Sequence, residues 1–294
     1  MSQQFTLKMI VDRGNVCVKY YDDDVLIVDD LKALTAPVIS RFDCNLLVLV
    51  LNGRGQAEVG GRHLEFAKNQ MVILPPNATL TDIMCSPDFE FRAIFLTTRL
   101  LQSFLRDKMA IWNEVVYVRH SFIFDVEEQG IEFFGLFYEM LCKIIESEKL
   151  PDCFKSEFIH SLLRPNFFGL CVRMNSMAHD MSSIQPTATG SLFHRFLLLL
   201  NSTEKKHRSV ESYAAELSVS AKYLSSLCKR NSGKTANVWI TEHVMEDLHY
   251  FLCHTDHSIK EICTILGFPN PSFFGKYVKM HFGVTPAQLR KGQK

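Results

Sequence analysis

Two stretches near the C-terminus, Ala221–Gly233 and Pro271–Gly283, carry one pattern written twice, about fifty residues apart. A duplicated pattern of this length means two copies of one small structural unit. Leu224 matches Phe274, Leu227 matches Tyr277, Cys228 matches Val278, Lys229 matches Lys279, Gly233 matches Gly283 and Thr235 matches Thr285. Apolar positions recur at i, i+3 and i+4, which predicts an amphipathic helix in each copy. The glycine after each supplies a left-handed stop at little steric cost.

A second short helical pattern precedes each copy: Val210, Tyr213, Ala214 and Leu217 in one, Ile259, Ile262, Cys263 and Leu266 in the other. Ser209 and Ser258 stand where N-caps are expected. The connections, Ser218–Ser220 and Gly267–Asn270, are short, and Val219 or Phe268 can plug the angle between the helices. Helix, tight turn, helix is the arrangement that sets a second helix into the DNA major groove. One copy alone reads equally as a helical hairpin in an all-helical core; duplication favours the first reading. Between the copies a long helical pattern runs from Thr235 to about Cys253 through Val238, Trp239, Val244, Leu248, Phe251 and Leu252. At ~1.5 Å per residue it spans on the order of 25 Å. With two helix diameters added, that suits reading helices ~34 Å apart in successive major grooves.

Residues 191–294 resemble the DNA-binding domain of the AraC/XylS family of transcription regulators, most specifically through Ile259–Lys279 and His281–Arg290. The resemblance covers about a third of the chain and implies sequence-specific, regulatory DNA binding by helices at about 220–230 and 270–280. It implies base-edge contacts from Lys222, Ser225 and Ser226, and from Pro271, Ser272, Phe273 and Lys276, with Lys229 and Lys279 meeting phosphates. The chemistry agrees: Lys can donate to guanine, Ser to several base edges, and Phe can pack on a thymine methyl. Lys229 and Lys279 also read as solvated helix ends beside a C-terminal dipole, and Phe273 as core, since only one of Phe273 and Phe274 can point squarely inward. Gly275, inside a helix, should cost about 1 kcal/mol relative to Ala, and either close DNA approach or a tight intradomain contact would account for it. Val244 and Leu248 depart from the family pattern, which often has Arg and Ala there.

Charge divides along the same line. Residues 191–294 hold Lys+Arg 14 and Asp+Glu 8; the totals of 32 and 32 leave 18 and 24 for residues 1–190. A basic module on an acidic one suits a chain that holds DNA at one end. The nine cysteines, an odd number with no Cys-x-x-Cys pair, read as reduced packing residues. Met1–Lys8 lacks a signal peptide's apolar stretch, and Phe196–Leu200 is far short of the ~20 apolar residues a membrane span needs. A cytoplasmic protein that does not enter membranes is expected.

From about residue 16 to 98 the pattern changes to short β-branched and aromatic runs: Val25–Val28, Leu46–Leu51, Gln56–Val59, Met71–Leu74 and Phe89–Phe95. Asn52–Gly55 and Gly60–Gly61 read as hairpin turns. The fold class expected is α+β: an N-terminal antiparallel β-barrel or jelly roll, a helical appendage at about 129–177, and a C-terminal all-α domain. Through Leu51–Gly55 and Met71–Pro76 the first part is similar to the cupin-like sensor domain of many members of the same family. Its only imidazole, His63, has no neighbouring imidazole, and no metal, cofactor or catalytic residue is expected. The domain limits expected are 1–180, a linker over 181–190, and 191–294.

Phe134, Phe137, Leu141, Ile144 and Ile145 form one apolar stripe of the appendage, and Phe158, Ile159, Leu162 and Leu163 another; Pro165 should kink or end the second helix. These stripes predict a homodimer contact, with burial against the barrel as the competing explanation. The resemblance further implies double-stranded DNA, a small-molecule effector in the barrel and RNA polymerase as partners. The alternative function is a metal-free cupin-like binding protein, or a cupin-type enzyme with an auxiliary helical domain. The enzyme needs an acid/base or metal cluster that residues 16–98 do not supply.

Overall fold

The strand Asn45–Asn52 is buried on both faces, with Leu46 and Val48 turned one way and Leu47 and Leu49 the other. A strand that meets protein on both sides must lie inside a layered unit, as its continuous run of Leu and Val requires. The computed structural model describes residues 3–12, 17–30, 40–118, 122–180, 188–202, 207 and 209–291. Backbone contacts divide the chain into two units, Met1–Ile184 and Gln185–Lys294. Of the expected linker, 181–187 lie outside the described residues and 188–190 begin a helix.

The first unit holds β1 (Gln3–Phe5), α1 (Leu7–Asp12), β2 (Cys17–Tyr21), β3 (Val25–Asp30), β4 (Ser40–Phe42), β5 (Asn45–Asn52), β6 (Arg54–Val59), β7 (Arg62–Ala67), β8 (Gln70–Leu74), β9 (Thr79–Cys85) and β10 (Glu90–Leu96). Then come α2 (Thr98–Leu105), α3 (Met109–Asn113), β11 (Ile123–Asp125), α4 (Glu128–Ile145) and α5 (Asp152–Asp180). The strands form two sheets, ordered β1-β4-β9-β6-β7 and β11-β8-β5-β10-β3-β2, antiparallel except for the β1–β4 pair. They face each other as separate layers, so the expected barrel is open rather than closed.

Both glycine turns exist, but only one joins a hairpin. Gly60 and Gly61, at φ of 59° and 79°, link β6 to β7 with Val59 opposite Arg62, the paired left-handed geometry of a two-residue hairpin. Asn52–Gly55 does not pair β5 with β6: β5 pairs β8 and β10, while β6 pairs β7 and β9. It is a corner where the chain changes sheets. Gly53 makes that corner at φ 78°, where an added Cβ would lie 2.6 Å from Ser86 Oγ and 2.8 Å from Phe89 Cα.

α4 and α5 cover the outer face of the six-stranded sheet. Phe137 and Leu141 of α4 and Ile159 and Leu163 of α5 are buried, so much of the apolar pattern assigned to a dimer contact packs inside the unit. Pro165 does not end α5, which continues to Asp180. A polar cluster ties α5 to the sheet: Tyr20 Oη and Ser156 Oγ donate to Asp22 at 2.6 and 2.9 Å, and His160 Nε2 lies 2.9 Å from the same carboxylate. Burial alone would raise the Asp22 carboxyl, yet its contacts with His160, Tyr20, the Asp24 amide and Ser156 hold it well below the usual carboxylate range.

The second unit is all helical: α6 (Ala188–Ser202), α7 (Val210–Glu216), α8 (Ala221–Ser232), α9 (Ala236–His254), α10 (Ile259–Ile265), α11 (Pro271–Phe282) and α12 (Pro286–Lys291). Phe193 and Phe196 of α6 meet Trp239 and Tyr213 edge-on, at 6.1 and 5.9 Å between ring centroids. Arg290 of α12 donates to the carbonyls of Leu252 and His257, closing the C-terminal end of α9. Among the described residues no helix is long and apolar enough to cross a membrane. Cys85 and Cys153 are exposed, which departs from a packing role for the cysteines.

Candidate nucleic-acid interface

The two halves of the repeat fold through the same local chemistry. Ser209 and Ser258 are the N-caps of α7 and α10, and Glu261 completes a capping box with Ser258. Ser220 caps α8 through the Tyr223 amide, and Asn270 caps α11 through the Phe273 amide. Gly233 and Gly283 end α8 and α11 at φ of 73° and 74°. The turns match as well: the Val219 amide donates to the Ala214 carbonyl and the Phe268 amide to the Cys263 carbonyl, each at 2.9 Å.

One difference lies in the turn residue. Gly267 takes φ 80°, while its counterpart Ser218 takes φ 60°, a conformation that costs an L-residue roughly 1–2 kcal/mol. Ser218→Gly is expected to stabilise the second unit by about 0.5–1 kcal/mol after the greater freedom of the unfolded glycine is offset. Gly267→Ala should destabilise it by about 1 kcal/mol. Urea midpoints of the two variants read this directly.

In the first copy Tyr213, Ala214, Leu217, Leu224, Leu227 and Cys228 are buried; in the second Ile262, Cys263, Leu266, Phe268, Phe274 and Val278 are. These rows hold each helix pair together and decide what remains outside. Lys222, Ser226 and Lys229 are exposed on α8 and Ser225 is half-buried. On α11, Pro271, Ser272, Phe273, Lys276 and Lys279 are all exposed. Phe273 is 45% accessible while Phe274 is 0%, so the inward ring is Phe274. An added Cβ at Gly275 would meet no heavy atom within 4 Å, which removes a tight intradomain contact as the reason for that glycine.

α9 joins the halves. Its buried row includes Trp239, Ile240, Val244, Leu248 and Leu252, while Val238 is exposed. Val244 and Leu248 are core, so α9 offers no basic side chain at those two positions. Lys234, just before α9, is buried with Nζ 2.8 Å from both carboxylate oxygens of Glu242 and 5.2 Å from the Trp239 ring.

Reading the sequence missed Tyr223. It is 43% accessible on α8, and the alignment of Leu224 with Phe274 sets it opposite Phe273, which was the available signal. It also missed His207, whose ring lies against Phe268; no local pattern marks it.

The class defined by this geometry is a tandem helix-turn-helix domain, and residues 213–292 match the family described as a helix-turn-helix domain. The C-terminal unit therefore carries a helix-turn-helix domain similar to those of AraC-type regulators. Regulatory protein PocR of Salmonella typhimurium is 30% identical over 106 residues, 36% of this chain and 35% of that protein. The HTH-type transcriptional activator RhaR of Escherichia coli (strain K12) is 23% identical over 133 residues, 45% of this chain and 47% of that protein. The matched segments thus span less than half the length of these curated relatives. Among solved structures, the C-terminal domain of the response regulator yesN from Fusobacterium nucleatum aligns at 23% identity over 35% of this chain and 99% of that one, TM-score 0.31. Fatty-acid-bound ToxT from Vibrio cholerae aligns at 15% identity over 86% of this chain and 88% of that one, TM-score 0.35.

The first unit offers a different surface. A cavity of about 590 Å³ lies between the two sheets, with Leu46, Val48, Val59, Phe66 and Leu80 among its apolar walls and Arg92 and Glu90 among its polar groups. That is within the ~300–1,000 Å³ of small-molecule sites. His63 is exposed on β7, 3.4 Å from Glu65, and is not among the cavity's lining residues.

Proposed function

We propose that the chain is a sequence-specific transcription regulator that reads two successive major grooves with α8 and α11. The observation that carries this is the pair of matched reading helices, each with its apolar row buried and its polar row outside. Lys222, Ser225, Ser226, Pro271, Ser272, Phe273 and Lys276 face base edges in this reading, Tyr223 joins them, and Lys229 and Lys279 meet phosphates. Open space beside Gly275 suits close approach of a DNA backbone. The test is a salt titration with duplex DNA. Affinity should fall linearly on a log–log scale, and Lys279→Ala should weaken all duplexes alike while reducing the slope by about 1. A slope near zero would leave the reading without its electrostatic half.

The N-terminal unit acts as a cupin-like sensor, its inter-sheet cavity the seat of a small-molecule effector whose binding alters how the reading helices dock. RNA polymerase is the further partner this reading requires for activation, and the cytoplasm is where it would act. No catalytic role is assigned, and neither a metal nor a cofactor is needed.

A homodimer is retained, with its surface corrected. The outward faces carry Phe133, Leu136 and Met140 on α4, and Phe154, Phe158, Phe168 and Val172 on α5. On α5 the pair 154, 158 returns as 168, 172, an interval of two heptads, which is the spacing of a helix-to-helix seam. A second copy of the chain, presenting the same row, is the occupant that fits. Leu136→Glu with Phe158→Glu should convert a dimer to a monomer in sedimentation. A wild-type protein that stays monomeric at high concentration would remove the dimer.

A further inference from the structure

His207 precedes Ser209, the N-cap of α7, yet its ring contacts lie in the other half of the repeat. The imidazole stacks on Phe268, with centroids 3.9 Å apart and planes 18° apart. It meets Phe273 and Tyr277 edge-on, at 5.7 and 5.2 Å. Phe268 plugs the turn between α10 and α11 and itself touches Phe274 at 5.1 Å and Tyr277 at 5.1 Å. One ring from the approach to the first helix pair therefore touches three rings of the second, two of them on α11.

Stacked and edge-to-face aromatic pairs hold preferred geometries, so moving α11 away from His207, two residues before the Ser209 cap of α7, would break this set. Burial keeps the His207 imidazole below its ordinary value, which favours the neutral ring against its aromatic neighbours. Phe273 is the contact with a direct consequence, since it stands on the exposed row of α11.

We propose that His207 is a positioning residue for DNA reading: it fixes the angle between the two helix pairs and holds Phe273 toward the bases. This rests on the assignment of α8 and α11 as reading helices. The interaction is aromatic packing, so a ring is required at 207 and an imidazole is not.

The test uses the full chain and DNA sites selected with the wild-type protein, together with versions that carry one added or one deleted base pair between the two half-sites. Wild type should discriminate against altered spacing. His207→Ala should lose about two- to twelve-fold of that discrimination, the range to which a lost aromatic pair corresponds, and of the preference at the bases under Phe273. His207→Phe should restore both, and unfolding curves recorded in parallel should show that the alanine variant is folded. A His207→Ala protein with full spacing and base discrimination, or one that loses affinity equally for every duplex, overturns the proposal. A wild-type protein with no sequence preference would instead overturn the reading assignment on which it rests.

Discussion

Phe274→Ala is expected to cost about 3–5 kcal/mol of stability, whereas Phe273→Ala, one residue earlier, should change stability by less than about 1 kcal/mol and lose DNA preference instead. Phe274 is fully buried and touches Phe268 edge-on at 5.1 Å, at the apex of the second helix pair. Removing it leaves a cavity where α10, the turn and α11 meet, and the surrounding helices close over it only partly. Phe273 is 45% accessible, with ring contacts at 5.7 Å to His207 and 6.3 Å to Phe268. Its truncation removes area that is already wet. Denaturant midpoints of the two variants, set beside their affinities for a selected site, separate the roles. A Phe273→Ala protein as unstable as Phe274→Ala would make Phe273 a core residue and take it off the reading surface.

Lys276→Ala should weaken binding to the preferred site by about 1–3 kcal/mol, or roughly five- to 150-fold, and should change which bases are preferred. Lys276 is exposed on α11, on the same helix face as Ser272 and Phe273. A lysine that donates to a base edge carries sequence information, while one that meets a phosphate carries charge alone. Lys276→Ala and Lys279→Ala are therefore expected to differ in kind. Equal, sequence-blind losses in the two variants would move Lys276 to the phosphate group. Full affinity with unchanged preference would remove it from DNA altogether.

The C-terminal unit was legible because its signals are local. Ser209, Ser258, Gly233 and Gly283 mark helix ends through contacts within a few residues, and the repeat provides each assignment twice. The sheets were less so. β7 alternates, with His63 and Glu65 outward and Leu64 and Phe66 inward, but it offers only two large apolar residues to mark the pattern, and β9 contains Asp82 at a left-handed φ of 52°, which breaks its alternation. The corner at Gly53 looks like a hairpin turn in sequence because the same glycine chemistry serves both, and the choice depends on β8 and β10, far along the chain. α4 is apolar around most of its circumference, with Phe133 and Leu136 outward and Phe137 and Leu141 inward, so periodicity alone could not choose its buried face. His207 and Phe268 meet across about sixty residues of chain, a contact no local pattern announces.

Selecting bound duplexes from random DNA with the full chain tests the central claim most directly. Two matched reading helices joined by α9 predict two enriched motifs whose centres lie about one helical turn, roughly 10–10.5 base pairs, apart on the same side of the duplex. Lys222→Ala should erase preference in one motif, and Lys276→Ala in the other. A pool that stays random, or a single short motif unaffected by either variant, would contradict the account.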